Sequence, residues 1–566
     1  MKQLKNDNAA NRSSYVGHVF NVGERKFKKE ILKTLPKQWA DLHKNGDIYI
    51  HDLDAYGLTY NCLTFDIINK FPYDEFNQQT DTGKILRVFE FIKEIFRNIG
   101  NEQSGGMAYA NFDVELSTIL KTLNVDYKTN KGLIEESIAE LILWANNNHT
   151  RMGQTSYYVT LNLGLGIDDY SRFITKTVIT KFMDLGEKVF KPNIIFKVKE
   201  GINFKKEDPN YDLLELALKS TAMKMIPTYI LADSKTNKGV DPYKLAVMGC
   251  RTRVVDNLFG ERNSLGRGNI TNISINLPRI ALKIEDETKD LSDDEKFNVF
   301  YQKWEEVAKL TKDILLDRYY KVSKRKHEDF PTNSKYHLWN VDFNDYESLE
   351  DVFKHGTLSL GFIGLSEAVE VLTGKKYYAD MDNYIRALGF VSKMRNYVDF
   401  LKNHYNLNFS LLATSGELIS GWFTEIDEKE FKPKANIFEK GYYTNSFHVD
   451  VDSNLPGFKK IQLEGMFHEL ANGGAITYLE LGEAPLSNIE GLKEYIDIAV
   501  KHGVHYLGFN FPKDICNNCD NVGVFDTCPA CNSDDITRIR RVSGYLEILD
   551  GFTKGKKNEE KNRKRN

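Results

Sequence analysis

Four of the six cysteines in this chain fall in one short stretch, Cys516-Asn-Asn-Cys519 and Cys528-Pro-Ala-Cys531. Each pair forms a knuckle, and two knuckles offer four soft thiolates to one tetrahedral ion. Zinc suits that donor set and adds no redox chemistry; an iron–sulfur cluster is the competing occupant, because four cysteines can also hold one. Soon afterwards comes Arg540-Arg-Val-Ser-Gly-Tyr-Leu546. The arrangement is that of a metal-stapled platform presenting the backbone of Gly544. The two remaining cysteines, Cys62 and Cys250, are the side chains such a platform would serve. Taken singly, a lone buried cysteine is most often a small core hydrophobe and a glycine most often a turn residue. Ribbon, glycine and two isolated cysteines rarely coincide by chance.

The elements that must position these groups alternate between helix and strand. A helical face begins near Lys28 (Ile31, Leu32, Leu35, Trp39, Leu42), broken or offset by Pro36. The strand-like run 46–54 leads into Tyr60-Asn-Cys-Leu-Thr64. Helical spacing marks 84–99 and 133–144, which can pack on each other or on a second subunit, with Gln103-Ser-Gly-Gly-Met107 as a turn between them. Strands are predicted at 157–167, 193–199, 228–231, 272–277 and 478–481, and helices at 213–225, 297–320, 349–355, 381–404 and 492–502. This alternation without an obvious linker predicts an α/β fold, with a barrel as its natural closure. Composition shifts near Pro512: 512–535 is poor in large apolar residues and rich in Cys, Asn and Asp, a module ordered by metal more than by burial. The division is therefore a barrel over 1–511, a four-cysteine ribbon over 512–535, and a glycine loop with a basic tail over 536–566. The start, 1–15, is polar and expected to be mobile, and the tail from Lys554 is expected to be solvated.

Composition excludes several functions. The chain of 566 residues is 41% hydrophobic and 28% charged, as in folded proteins, and its net charge of -4 argues against a general polyanion-binding surface. No stretch is long and apolar enough for a membrane span, and no signal-peptide core is visible, which predicts a cytoplasmic location with cysteines as thiols or metal ligands. Gly164-Leu-Gly166 lacks the third glycine of a dinucleotide loop, and no Walker-type loop occurs. A zinc ribbon that binds nucleic acid is an alternative, since the tail from Lys554 onward has seven Lys or Arg against two Glu, but the ribbon lacks interleaved aromatics for stacking.

The residues after the ribbon resemble the glycyl-radical signature of the anaerobic (class III) ribonucleotide reductases, whose ribbon is also similar. Further landmarks of that family are Ile48-Tyr-Ile-His-Asp-Leu-Asp54, Val247-Met-Gly-Cys-Arg251, Gly266-Arg-Gly-Asn269 with Ile275-Asn-Leu-Pro-Arg279, Gly361-Phe-Ile-Gly-Leu-Ser-Glu367 and Tyr443-Thr-Asn-Ser-Phe-His448. The resemblance implies a ten-stranded α/β barrel of the glycyl-radical-enzyme type, with a C-terminal zinc ribbon and radical loop. It further implies reduction of ribonucleoside triphosphates to deoxyribonucleotides. Gly544 then stores the radical, Cys250 becomes the transient thiyl that removes the 3′ hydrogen, and Cys62 returns a hydrogen atom on the opposite face of the sugar. Asn269 matches the active-site asparagine by its register in Gly-Arg-Gly-Asn, among Asn263, Asn272 and Asn276.

The glycine and sulfur choices follow from radical chemistry. An α-carbon radical on glycine is delocalised by its amide nitrogen and carbonyl, and no side chain opposes planarity. Sulfur–hydrogen bonds are close enough in strength to exchange a hydrogen atom with it. With the ribbon thiols committed, Cys62 and Cys250 are too few for a thiyl plus a dithiol pair, so the chain looks like the formate-using branch, which Met248 also fits. Ala413-Thr-Ser-Gly-Glu417 resembles a helix start, where Thr414, Ser415 and Gly416 either receive substrate phosphate or simply cap. A separate radical S-adenosylmethionine activating enzyme is implied. A homodimer is expected, with nucleotide effectors possible at its interface near the helix 84–99. With the landmark at Ile48 coming so early, no N-terminal nucleotide-binding cone, and no off switch of that kind, is expected. Among glycyl radical enzymes the alternative is an acyl-lyase or dehydratase, which lacks a ribbon beside the glycine.

Overall fold

The structure is a computed structural model describing residues 15–565 except 77–78, 151–154, 157 and 433–435. Ten strands follow one path through the main sheet: Asn408–Ala413, Thr357–Ile363, Arg267–Asn276, Cys62–Phe65, Met107–Tyr109, Val159–Leu163, Asn193–Val198, Thr228–Leu231, Tyr506–Asn510 and Thr477–Glu480. The five from Cys62–Phe65 to Thr228–Leu231 run parallel, and antiparallel seams at Cys62–Phe65/Arg267–Asn276 and Thr228–Leu231/Tyr506–Asn510 join them to the others. Ile48–Ile50 pairs off this path, antiparallel to Arg267–Asn276. Strands covered by helices outside and filled inside bury both faces, which is why they read as near-continuous apolar runs.

The barrel is not closed by a strand ladder. Its end strands meet only near one end, where Leu412 bridges Gly474, the Gly473 amide donates to Leu411 O (2.8 Å) and the Ala413 amide to Gly474 O (3.0 Å). Inside, Ile195, Ile230 and Ile476 of the wall pack against Val240, Leu245, Val247 and Val255 of the long connection between Leu231 and Arg267. That connection is thus a finger threaded through the barrel, held by its own apolar stripe.

Most helices sit where the apolar period places them. Asp81–Glu102 and Lys131–Asn147 pack together, with Phe96 against Trp144. A Ser292–Glu295 capping box opens the long helix Asp293–Ser323. Two expectations change here. The first described helix, Tyr15–Thr34, begins well before Lys28 because its early turns expose Val16, Val19 and Val22 and carry no core stripe to read; Pro36 then starts the separate helix Lys37–Lys44. The expected mobile start lies largely outside the described residues. The strand expected at Asn272 starts at Arg267, its polar first half buried like the rest.

The basic tail is not solvated. It forms the helix Lys554–Asn562, and Lys556 and Glu559 are buried as an ion pair (2.5 Å) while Arg563 reaches Glu559 and Glu560. Charge counting cannot reveal such mutual pairing, and breaking a buried pair costs about 3–5 kcal/mol. No helix among the described residues is long and apolar enough to cross a membrane.

Candidate active site

Cys250 sits at the fingertip. The amides and carbonyls of Met248 and Thr252 close a tight hairpin around it (3.1 and 3.2 Å), and Asn193 Nδ2 donates to Gly249 O. Arg251 anchors the tip from behind: its guanidinium donates to Ala413 O, to His448 Nε2 and to the Tyr478 hydroxyl. Cys62 lies on the opposing wall, its thiol donating to Asn61 Oδ1 (2.7 Å) and accepting from the Gly106 amide (3.2 Å). Asp52 in turn accepts from Asn61 Nδ2 (2.6 Å), fixing the amide so that its oxygen meets the sulfur. The stretch Gln103–Met107 is more than a turn. A Cβ on Gly106 would stand 2.9 Å from the Gly249 backbone, so its bareness lets the fingertip approach the Cys62 strand.

The two cysteines line one cavity, with Met248, His51, Asn272 and Tyr545 among its other walls. Burial pushes the Cys250 thiol up, and the neighbouring Glu417 carboxylate adds to this against the opposing Arg251 charge. The consequence is chemical: a thiol has a hydrogen atom to give, whereas a thiolate has none.

The loop carrying Gly544 comes from the C-terminal sheet, and its Tyr545 lines this cavity. Lys513–Cys516 pairs with Ile536–Arg541, which pairs with Leu546–Ile548, so ribbon and glycine loop share one sheet. Gly544 packs so closely on the fingertip that a Cβ there would lie 1.7 Å from Cys250 O and 2.4 Å from its Cα. Only glycine fits, and the reason is contact rather than backbone conformation. Its flanks are clamped by one residue that sequence reasoning passed over: Glu417 accepts from Ser543 Oγ (2.9 Å) and from the Tyr545 hydroxyl (2.7 Å), and its carbonyl accepts from Thr553. A buried ion pair, Lys191–Glu547 (2.8 Å), ties the loop to the barrel from the far side.

The expected anion cradle is built differently from a helix start. Ala413 ends a strand, and the helix begins only at Ile419. Ser415 Oγ lies 2.9 Å from Cys250 Sγ, Thr414 joins a hydroxyl chain through Ser274 to His51, and the Gly416 amide donates to Asn445 Oδ1. Thr414 and Ser415 line the cavity, while the Gly416 amide is already engaged. The landmarks Glu367 and Tyr443–His448 explain themselves here: Glu367 accepts from the Thr444 amide and hydroxyl, bracing the loop whose Asn445 holds Gly416.

Asn269 pairs with Cys62 across the seam, and its Nδ2 donates to Thr357 and Ser359. The asparagine lining the cavity is Asn272, not Asn269, after a register shift in the pairing with Thr357–Ile363. Both side-chain oxygens are buried without a protein partner. A bulge of this kind leaves no sequence mark, so register alone could not choose between them.

In the ribbon, the Cys516, Cys519, Cys528 and Cys531 sulfurs lie within 4.8 Å of one another, the closest pairs at 3.5 and 3.6 Å. Four thiolates at Zn–S bond length stand about 3.8 Å apart at the corners of a tetrahedron, so the donors fit one such ion. Metal analysis of aerobically purified protein is expected to give one zinc per chain, and chelation to abolish activation. Acid-labile sulfide would assign the site to an iron–sulfur cluster instead.

Residues 7–565 match the family model for anaerobic ribonucleoside-triphosphate reductase. The chain is 31% identical to the Escherichia coli anaerobic ribonucleoside-triphosphate reductase over 575 residues, covering 94% of this chain and 78% of the relative. It is 29% identical to that of Enterobacteria phage T4 over 606 residues, covering 99% and 96%. Among solved structures, the anaerobic ribonucleotide reductase from Thermotoga maritima in complex with dATP and CTP shares the fold at TM-score 0.70, with 17% identity, covering 96% of this chain and 90% of that one. Hydroxyproline dehydratase from Clostridioides difficile is less similar, at TM-score 0.56 and 11% identity, covering 98% and 86%. A barrel with a fingertip cysteine, a glycine seated on it and a four-cysteine ribbon, matched over nearly its whole length, places the chain in the anaerobic ribonucleoside-triphosphate reductase family.

Proposed function

We propose that this chain reduces ribonucleoside triphosphates with formate as the electron source, storing its radical on Gly544. The observation that carries the reading is the seating of Gly544 on the Cys250 backbone, with Cys62 across the same cavity. The stored radical takes the hydrogen atom from Cys250 Sγ, leaving a thiyl, and the thiyl removes the 3′ hydrogen of the ribose. The 2′ hydroxyl takes up a proton and leaves as water. Cys62 then delivers a hydrogen atom from the other side, its S–H axis set by Asn61 and its sulfur supported by the Gly106 amide. Asn272 offers its unpaired oxygen to the ribose or the reductant, and Asn269, beside Cys62 in the ladder, supports that wall from behind. Thr414 and Ser415 edge the space for the phosphates, with the start of the helix Ile419–Phe431 beyond them. Positioning and exclusion of water are the barrel's contribution, since each step joins atoms already in near contact.

Formate is the reductant because no further thiol stands in the cavity: apart from Cys62 and Cys250, every cysteine belongs to the ribbon cluster. Formate restores the hydrogen atom to Cys62 and passes its second electron to the 3′ carbon, departing as carbon dioxide; Cys250 then returns its hydrogen to that carbon and the radical goes back to Gly544, with no disulfide to reset. Zinc is proposed for the ribbon, as the redox-silent ion its geometry admits. The functional division is the barrel over 1–511, the ribbon over 512–535 and the radical loop with its tail over 536–566. A cytoplasmic homodimer, nucleotide effectors bound near the helix Asp81–Glu102, and a radical S-adenosylmethionine activating enzyme complete the proposal. The Thermotoga maritima relative was solved with dATP and CTP, which fits a substrate together with an effector.

Activated protein supplied with 13C-formate and a ribonucleoside triphosphate is expected to release one labelled carbon dioxide per deoxyribonucleotide. Turnover with thioredoxin and no formate would overturn the choice of reductant.

A further inference from the structure

Of the paired arginines before the glycine, Arg540 and Arg541, only one faces the barrel. Arg540 turns outward to Asp514 and Glu560 and holds the ribbon to the C-terminal helix. Arg541 is fully buried, 1% exposed, and its guanidinium donates in three directions. Nε reaches Phe509 O (3.2 Å), Nη2 reaches Met225 O (2.5 Å), and Nη1 reaches the carbonyl oxygen of Gly544 itself (3.3 Å). Among the described residues this is the hydrogen bond that the Gly544 oxygen receives. The first two contacts come from well-packed backbone on separate elements, so the planar fork has little freedom and the third donor stays aimed at Gly544.

We propose that Arg541 stabilises the glycyl radical electronically, by donating a charge-assisted hydrogen bond to the carbonyl over which the unpaired electron spreads. The proposal rests on the glycyl-radical reading above. A radical at the Gly544 α-carbon gains stability when the amide nitrogen pushes electron density in and the carbonyl draws it out. The dipolar form that results places negative charge on the carbonyl oxygen. A guanidinium N–H at that oxygen, in a site shielded from water, favours this form more than a neutral donor would. The arginine neither gains nor loses a proton, and the atom balance of the transfer is untouched: hydrogen passes from Cys250 Sγ to the glycine α-carbon, and the unpaired electron moves to sulfur. What changes is the depth of the well from which the thiyl must be drawn, and hence the lifetime of the stored radical.

Two measurements test this. In the wild-type protein, activated after growth on guanidino-15N-arginine, electron–nuclear double resonance of the radical is expected to show a weakly coupled 15N and an exchangeable proton on its hydrogen bond. Absence of both, with a full radical signal present, would overturn the proposal. In Arg541→Gln, the α-hydrogen splitting is expected to widen as spin returns to carbon. The anaerobic lifetime should shorten about tenfold, the rate equivalent of one charge-assisted hydrogen bond, with partial recovery in Arg541→Lys. A splitting and lifetime equal to wild type in both variants would leave Arg541 a purely structural tie. If no glycyl radical forms in the wild type, the underlying functional reading fails instead, so the two failures are distinguishable.

Discussion

Gly544→Ala is expected to lose all reductase activity and all radical signal, the largest effect of any single substitution in this chain. The added methyl would stand 1.7 Å from Cys250 O and 2.3 Å from its carbonyl carbon, a collision with backbone that no rotamer change relieves. Either the loop lifts off the fingertip or the fingertip is pushed down its threaded path. Overpacking of this kind costs about 1–3 kcal/mol even where neighbours can adjust. Here the neighbour is anchored through Arg251 to Ala413 O, His448 and Tyr478. Anaerobic activation followed by electron paramagnetic resonance and a deoxyribonucleotide assay checks this. The barrel itself should remain folded, because the loop's Val542, Tyr545 and Phe552 form a cluster separate from the main apolar core.

Cys250→Ser separates storage of the radical from its use. The variant is expected to form the glycyl radical at close to the wild-type level and to make no deoxyribonucleotide. An oxygen–hydrogen bond is stronger than a sulfur–hydrogen bond by many times the ~1.4 kcal/mol that costs tenfold in rate, so the stored radical cannot take hydrogen from serine. Serine is smaller than cysteine and can keep the contact that Cys250 makes with Ser415, so the fingertip hairpin should survive. The contrast with Gly544→Ala is the informative part: one variant loses the radical, the other keeps a radical that does nothing. Turnover in Cys250→Ser beyond contamination by wild-type protein would remove the thiyl from the account.

Much of this site was legible in the sequence because its chemistry tolerates few residue types. The four ribbon cysteines, Gly544 and the two isolated cysteines could be named from spacing and resemblance, and the structure sets Cys62 and Cys250 about one cavity with Gly544 against the Cys250 backbone. The helices and most strands were legible for the simpler reason that apolar periodicity survives wherever an element lies against the core. What could not be read was any choice decided by geometry between chemically equal candidates. Asn269 and Asn272 differ by a register shift, and no composition encodes it. Glu417 looked like an unremarkable residue at a helix start, and its role depends on hydroxyls more than a hundred positions away. The tail looked solvated because each charge was counted alone, whereas Lys556 and Arg563 are balanced by Glu559 and Glu560 inside the fold. The finger was invisible for a related reason: Val240, Leu245, Val247 and Val255 make sense only against the inside of a barrel that their own sequence does not specify.

The most direct test of the central claim, that Gly544 stores a radical shared with Cys250, is to activate the protein anaerobically, record its electron paramagnetic resonance spectrum and then admit air briefly. A doublet is expected that collapses toward a singlet when the protein is made with α-deuterated glycine, followed by cleavage of the chain at Gly544 alone. A chain that stays intact in air after a confirmed radical signal, or a signal insensitive to glycine labelling, would contradict it.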